Sequence, residues 1–191
     1  MKRRTVIAGL AAGMFAPSTA LAFSTAQAEK LIGSAVADIT RIINSGKSEA
    51  AMLRDFEGIF SRYADVPTIS RSVLGPPARA ASSGQLSAFA RAFQTYISRK
   101  YGRRFREFIG ATVKVTGSRQ VKSFYEVTTV TDLRGEAPFE VTFVVADRSG
   151  RFIDIRIEGV SLLKAERGEV GAMLDARRGN LDQLIADLPK V

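Results

Sequence analysis

One stretch constrains the fold of this chain more than any other: residues 83–108, where an apolar side chain recurs at every third or fourth position. This spacing places the apolar side chains on one face and predicts a single long α-helix, lying on a β-sheet built from the residues that follow. Five of the seven positions are aromatic, although aromatic residues make up 8% of the chain. The seven positions are Leu86, Phe89, Phe93, Ile97, Tyr101, Phe105 and Phe108.

After Gly110 the apolar period changes from helical to two, which indicates β-strands. Four strands are predicted, at residues 111–118, 124–132, 138–147 and 151–158. The connections between them are short, so the strands should form an antiparallel meander, with the third strand in a central position. In this arrangement the long helix faces the sheet, and the curvature of the sheet sets the amount of space between them.

The remaining segments read as helices. Three are predicted before the long helix: one from Thr25 to Asn44, one capped by Ser48, and one opened by Asp65. Two more follow the sheet, capped by Ser161 and Asn180. The predicted fold class is therefore α+β, a single domain with helices packed on a four-stranded antiparallel sheet. A curled sheet, bent away from the long helix, would enclose an apolar cavity between the two.

The first 22 residues have the pattern of a secretory signal peptide. A basic start, Lys2-Arg3-Arg4, precedes an apolar run and the small-residue sequence Ala20-Leu21-Ala22. The run is too short to span a bilayer. Arg3-Arg4 also resembles a twin-arginine signal, so either export route is open, and a second cleavage site follows Ala28. We therefore predict a signal peptide at 1–22 and one exported domain at 23–191.

Composition excludes several classes of function. The chain has no cysteine and no histidine. Disulfides, Ser-His and Cys-His nucleophiles and the usual zinc sites are therefore ruled out, and we expect no metal and no cofactor. Residues 1–22 hold three of the 28 cations and none of the 19 acids, so without them the net charge falls from +9 to +6. This excess suits an anionic surface better than nucleic acid.

Carboxylate-only or Ser-Lys chemistry is the enzymatic possibility that composition leaves open. Asp154 and Glu158 share one face of the fourth strand, but Arg156 lies between them, which favours a surface charge ladder. An isolated acid such as Glu126 or Asp132 inside a cavity would favour an enzyme. We expect a protein without catalytic residues.

Several residues, taken in order, resemble the MlaC family of periplasmic phospholipid-binding proteins, also called the toluene-tolerance auxiliary family. Leu74-Gly75 is followed by Arg79, and a later Glu158-Gly159-Val160-Ser161-Leu162 segment is followed by Arg167. The rest of the resemblance lies in Gln85, Phe89, Phe93 and Tyr101 of the long helix, and in Gly179, Leu181, Leu184, Ile185 and Leu188 near the end. It covers about residues 29–189. The family's tryptophan before the arginine is replaced by Ala78, and Pro76-Pro77 also departs from the pattern.

The resemblance implies a soluble, non-enzymatic carrier that holds phospholipid acyl chains in an apolar pocket and maintains outer-membrane lipid asymmetry. Its implied partners are an inner-membrane ABC transporter with its substrate-binding ring and an outer-membrane lipoprotein complex. Because some relatives are associated with hopanoids, such a fused-ring lipid is an alternative ligand. We expect a monomer. A carboxylate or Ser-Lys enzyme and an interaction module with a filled core are the other hypotheses.

Two sets of residues are candidates for function. The first would line the lipid cavity, and the second would dock onto anionic head groups or an acidic partner. The cavity candidates are Phe60, Val73, Leu74, Phe89, Phe93, Ile97, Phe105, Phe108, Val127, Phe143 and Ile155. The docking candidates are Arg99, Lys100, Arg103, Arg104 and Arg106. Arg79 is equally suited to a structural role and to a ligand contact.

Overall fold

The structure, a computed structural model, describes residues 23–191, apart from the side chain of Phe105; the predicted signal peptide lies outside this range. Its helices are α1 (Thr25–Ile43), α2 (Glu49–Tyr63), α3 (Val66–Leu74), α4 (Ser83–Gly102), α5 (Leu162–Asp175) and α6 (Leu181–Asp187). Its strands are β1 (Thr112–Val121), β2 (Phe124–Asp132), β3 (Phe139–Ala146), β4 (Arg151–Ile157) and β5 (Val160–Ser161). Short 3₁₀ turns span Pro76–Arg79, Phe105–Phe108 and Leu188–Lys190.

Side-chain caps set the start of each helix. The hydroxyl of Ser24 accepts a hydrogen bond from the backbone N–H of Gln27, while the Gln27 side chain accepts one from the N–H of Ser24. Ser82 and Gln85 form the same reciprocal capping box at the start of α4. The other caps are Ser48, Asp65, Ser161 and Asn180, as the sequence predicts.

The strands follow one another across a single antiparallel sheet in the order β1-β2-β3-β4-β5, with β3 in the middle. This confirms the α+β class and the meander. One detail differs, because a fifth strand of two residues follows β4. Glu158 and Gly159 both adopt positive φ angles, 47° and 78°, and turn the chain back so that Val160 pairs with Ile157.

The long helix ends earlier than predicted. Arg103 caps α4, and its N–H bonds to the carbonyls of Arg99 and Tyr101, so the helix stops at Gly102 rather than Phe108. The 3₁₀ turn that follows redirects Phe108 toward α1 and α2, where it packs beside Ile43 and Phe56. The spacing of apolar residues alone does not reveal this break, since three-residue steps suit both helix types.

The helix that lies on the sheet is α1, not α4. α1 crosses β1 and β2, whereas α4 packs against α2, α3 and α6. Burial of Phe89, Phe93 and Tyr96, each at most 1% exposed, makes α4 the centre of the helical core. The sequence pattern predicts that α4 has a buried face, but it does not specify which elements cover that face.

The beginning of the described chain is anchored to the sheet. The Phe23 ring meets the Tyr125 ring edge-on at 5.3 Å between centroids, and the Tyr125 hydroxyl donates to the carbonyl of Phe23. Phe23 also covers Gly150, where a Cβ atom would lie 3.1 Å from the ring. Ala28, in the first turns of α1, is fully buried. Residues 23–28 are therefore an integral part of the folded domain.

Candidate functional site

A cavity of about 250 Å³ lies between the sheet and the pair of helices α1 and α2. Protein interiors contain few voids larger than one water molecule, which needs roughly 10–15 Å³ by a comparable measure. This space is more than ten times larger, so it is not a packing defect of ordinary size. It is open at one side, because Ile157 lines it and is still 38% exposed.

The wall of the cavity is almost entirely apolar. Among the described residues that line it, none is charged. The polar groups belong to Thr40, Asn44, Thr129 and Thr131 and to Tyr101, whose hydroxyl donates to Glu166. The hydroxyl of Thr129 is already satisfied, since it donates to the carbonyl of Val141 at 3.0 Å. Such a wall can stabilise hydrocarbon and offers no counter-ion to a buried charge.

Four of the predicted cavity residues line this space: Phe60, Phe108, Phe143 and Ile155. Val73, Phe93 and Ile97 line a smaller void of about 60 Å³ beside it. Leu74, Phe89 and Val127 lie in the packed core, at most 4% exposed. The side chain of Phe105 lies outside the described part of the structure. Contact of any of them with lipid remains a prediction.

Sequence reasoning missed much of the wall. The missed residues with apolar side chains are Val36, Ile39, Ile43, Phe56, Ile59, Tyr101, Ala111, Val113, Phe139, Val141, Phe152, Ile157 and Leu162. For some of these residues the sequence does contain a signal. Phe139 and Val141 lie on the same face of β3 as Phe143, because they are four and two residues away from it along the strand. Those in α1 carry an ordinary helical stripe, which predicts burial but does not distinguish a cavity from a filled core.

The docking candidates separate into different environments. Arg103 is exposed just before the 3₁₀ turn that carries Phe108, and Arg106 is exposed within that turn. Arg104 pairs with Glu107 at 3.0 Å. Next to this turn, Ile109 is 57% exposed, and Val160 is 64% exposed beyond the end of β4. Cations and exposed apolar side chains thus occur on the segments that contribute Phe108 and Ile157 to the cavity wall.

The side chains of Arg99 and Lys100 bind other parts of the protein. Arg99 donates to the carbonyl of Pro189. The ammonium of Lys100 donates to Glu166 at 2.8 Å, to Tyr96 at 3.1 Å and also to Glu169. Lys100 therefore joins α4 to α5, and its docking role has no support in this geometry.

This internal network shifts several pKa values. Desolvation alone would lower the pKa of Lys100, but its hydrogen bonds to Glu166, Glu169 and Tyr96 together outweigh that effect and raise it. Burial raises the pKa of the Tyr96 and Tyr101 hydroxyls. The hydrogen bond from Lys100 lowers the pKa of Glu169. Lys100 therefore stays protonated, and both tyrosines stay neutral, over the physiological pH range.

The acid considered as a possible catalyst, Glu126, lies on the opposite face of the sheet from the cavity. Arg119 Nε and Arg156 Nη1 donate to its carboxylate at 2.9 and 2.7 Å. Burial raises the pKa of Glu126, but these guanidinium groups more than offset that effect, so the pKa is lowered. Its neighbour Asp154 accepts from the hydroxyl of Ser161 at 2.7 Å at the start of α5. An ionised, paired carboxylate outside the cavity is poorly placed for proton transfer to a bound ligand.

We expect the free energy of unfolding to stay nearly constant between pH 5 and pH 8 and to fall in more acidic solution. The chain has no histidine to titrate in that window. The folded-state pKa values of Glu126, Glu169 and Asp38 lie below the ordinary 4.5 for Glu and 3.8 for Asp. The unfolded chain then binds more protons, so stability is lost as the pH falls through the folded-state values. Urea unfolding from pH 3 to 8 measures this; higher stability at pH 3 than at pH 6 would contradict it.

Two residues of the segments that resemble the family, Gly75 and Arg167, are in contact in the structure. The guanidinium of Arg167 lies 3.2 Å from where a Cβ atom of Gly75 would be, and Gly75 has a positive φ of 68°. A side chain at position 75 would therefore be strained and crowded. This contact joins the end of α3 to α5. Arg79 is exposed in the 3₁₀ turn that follows.

Two further classes of site are not found in residues 23–191. No helix in this range has the length and hydropathy needed to cross a membrane. The same residues place no group of three or more acidic side chains where they could hold a metal ion.

Comparison with known proteins gives one family and a similar solved structure. The family model described as MlaC protein matches residues 34–190. No match was found among curated proteins. A solved structure of a phospholipid-binding protein from Ralstonia solanacearum, in complex with a phospholipid, superposes with a TM-score of 0.71 at 19% identity. The alignment covers 84% of this chain and 98% of that one, so the two share a fold. Since the family model spans most of its length, this chain belongs to the MlaC family.

Proposed function

We propose that this protein is a carrier that binds the acyl chains of a phospholipid in the cavity between α1, α2 and the sheet. The observation that carries the proposal is the uncharged, apolar wall of a space open to the surface at Ile157. Membership of the MlaC family and a shared fold with a protein solved in complex with a phospholipid support it. Binding, not catalysis, is the activity such a wall favours.

The energetics explain why a carrier needs this space. Exposing a long acyl chain to water costs on the order of 10 kcal/mol, at about 0.8 kcal/mol per methylene group. A site that hides most of the chain removes this barrier. The volume of about 250 Å³ is close to the lower end of typical ligand pockets, roughly 300–1,000 Å³. The head group requires no room inside, because it remains solvated at the open side.

In this proposal the mature carrier works in the periplasm, between an inner-membrane ABC transporter complex and an outer-membrane lipoprotein complex. Residues 1–22 act as the signal peptide, and the mature chain begins at Phe23. Retention of Phe23 is supported by its packing on Tyr125 and Gly150. Cleavage after Ala28 would instead remove the Ser24 cap and the first turn of α1.

We expect the protein purified from the periplasm to carry lipid. Native mass spectrometry, followed by organic extraction, should show about one phospholipid per chain and a protein mass that begins at Phe23. A bound hopanoid would keep the carrier function and change the ligand class. An empty protein that also fails to acquire lipid from phosphatidylglycerol vesicles would contradict the proposal. The matched control is the Val141→Trp variant purified in the same way, because its indole ring would occupy the cavity.

We further propose that Arg103, Arg104 and Arg106 bring the open side of the cavity to anionic head groups. Each cation near a charged bilayer contributes roughly 1 kcal/mol. Reversing Arg103 and Arg106 to Glu should therefore weaken binding to phosphatidylglycerol vesicles by at least tenfold and slow lipid transfer between them. Arg104 is left unchanged because it pairs with Glu107.

The control for this experiment makes the same change in net charge elsewhere. Arg91 is exposed on α4, and Arg148 is exposed in the β3–β4 turn, at the opposite end of the sheet from Ile157. Reversing these two to Glu should reduce vesicle binding much less. Equal losses in both double variants would show that net charge alone matters, and unchanged transfer in the first would contradict docking at this surface.

A further inference from the structure

A small void adjoins the main cavity on the side of α4 and α5. It measures about 60 Å³ and shares five wall residues with the cavity: Phe60, Tyr101, Phe152, Ile155 and Leu162. A hydrocarbon chain that passes between these shared side chains would place its end in the void. The rest of the wall is also mostly apolar, but it includes the carboxylates of Asp154 and Glu166.

Glu166 is the unusual member of this wall. The residue is 3% exposed. Its Oε1 atom accepts hydrogen bonds from Lys100 Nζ at 2.8 Å and from Tyr101 Oη at 2.6 Å. Its Oε2 atom is buried and has no hydrogen-bond partner among the residues that the structure describes. Asp154, by contrast, accepts from Ser161 Oγ and from the Leu163 backbone N–H.

A buried oxygen without a donor carries a penalty of the size of a lost hydrogen bond, and such groups in native proteins require an explanation. The missing partner must be a donor, since Oε2 belongs to a carboxylate acceptor. Lys100 already supplies a positive charge to the same carboxylate at 2.8 Å, so a second cation would be repelled. A neutral O–H group fits the charge balance.

We propose that Glu166 Oε2 binds a hydroxyl group on the hydrocarbon part of the lipid, so that the cavity selects hydroxylated over plain chains. This inference rests on the proposed carrier function and adds a determinant of specificity to it. Sites built around a polar acceptor discriminate strongly against ligands that lack the matching donor, because the acceptor is then left unpaired. A lipid with a plain hydrocarbon end would leave Oε2 without a hydrogen-bond partner.

Displacement of a fluorescent fatty acid from the full mature protein tests the proposal. The competitors are hexadecanoic acid and its analogues with one hydroxyl group at carbon 10, 12, 14 or 16. At least one analogue should displace the probe at about tenfold lower concentration than hexadecanoic acid. Glu166→Gln should reduce this preference and Glu166→Met should abolish it.

Glu169→Gln is the matched control, since Glu169 binds the same Lys100 ammonium but does not line the void. It should keep the preference for the hydroxylated chain. If hexadecanoic acid binds wild-type protein but no analogue binds more tightly, the hydroxyl site is overturned and the carrier function stands. If none of the acids binds, the hydroxyl site is overturned, and uptake of lipid from phosphatidylglycerol vesicles decides separately whether the carrier function stands. A crystal structure with the best analogue that shows only an ordered water on Oε2 would also overturn the inference.

Discussion

Val141→Trp is expected to lower the amount of lipid that co-purifies with the protein by more than tenfold. Val141 lies on the cavity face of β3, where an indole ring would project into the open space. Adding bulk to a filled core usually costs about 1–3 kcal/mol, but here the ring enters a cavity that is already present. The variant should therefore fold with nearly unchanged stability while losing room for an acyl chain.

The matched control for this variant is Val130→Trp. Val130 lies on the neighbouring strand β2, paired with Glu140 on the outer face of the same sheet and 36% exposed. It receives the same side chain on the opposite face, so lipid content should stay at the wild-type level. The lipid content is measured by extracting the phospholipid and quantifying it per protein chain. Thermal unfolding measures the stability of both variants. A folded Val141→Trp variant with a normal lipid load would place the ligand elsewhere.

Phe89→Ala is expected to lower the free energy of unfolding by about 3–5 kcal/mol. The Phe89 ring is fully buried and stacks against Phe93 with 6.0 Å between centroids. Truncation would remove these contacts and leave a new void in the centre of the helical core. For a domain whose total stability is roughly 5–15 kcal/mol, this is a large fraction.

Phe108→Ala is the informative comparison, because both residues belong to the same predicted apolar stripe. Phe108 faces the cavity on one side and packs beside Ile43 and Phe56 on the other. A side chain next to empty space has fewer partner atoms to lose, so its removal should cost only about 1 kcal/mol. Urea unfolding of the two lipid-free variants measures the difference. A loss as large as that of Phe89→Ala would mean that Phe108 belongs to the filled core.

The type and order of the secondary-structure elements were accessible from the sequence because their signals are local. Capping residues such as Ser48 and Asn180 mark where helices begin, and alternating apolar residues mark the strands. The α+β class follows from that order. The sequence did not predict the end of α4. Apolar residues keep a helical spacing as far as Phe108, but the α-helix itself ends at Gly102.

The sequence does not show in the same way which apolar side chains line the cavity. Phe89 and Phe108 carry equivalent signals in the sequence, yet one lies in packed core and the other at the cavity. The unpaired oxygen of Glu166 was likewise invisible, because its partners Lys100 and Tyr101 are more than sixty residues away along the chain.

By itself, then, the sequence determined an α+β chain with a meander and the apolar faces of its elements, since periodicity and capping depend on neighbours along the chain. Only the tertiary structure decided that α1, not α4, covers the sheet and that a cavity of about 250 Å³ remains beneath α1 and α2. The physical reason is that a cavity depends on the distance between surfaces from remote segments. No local pattern encodes that distance.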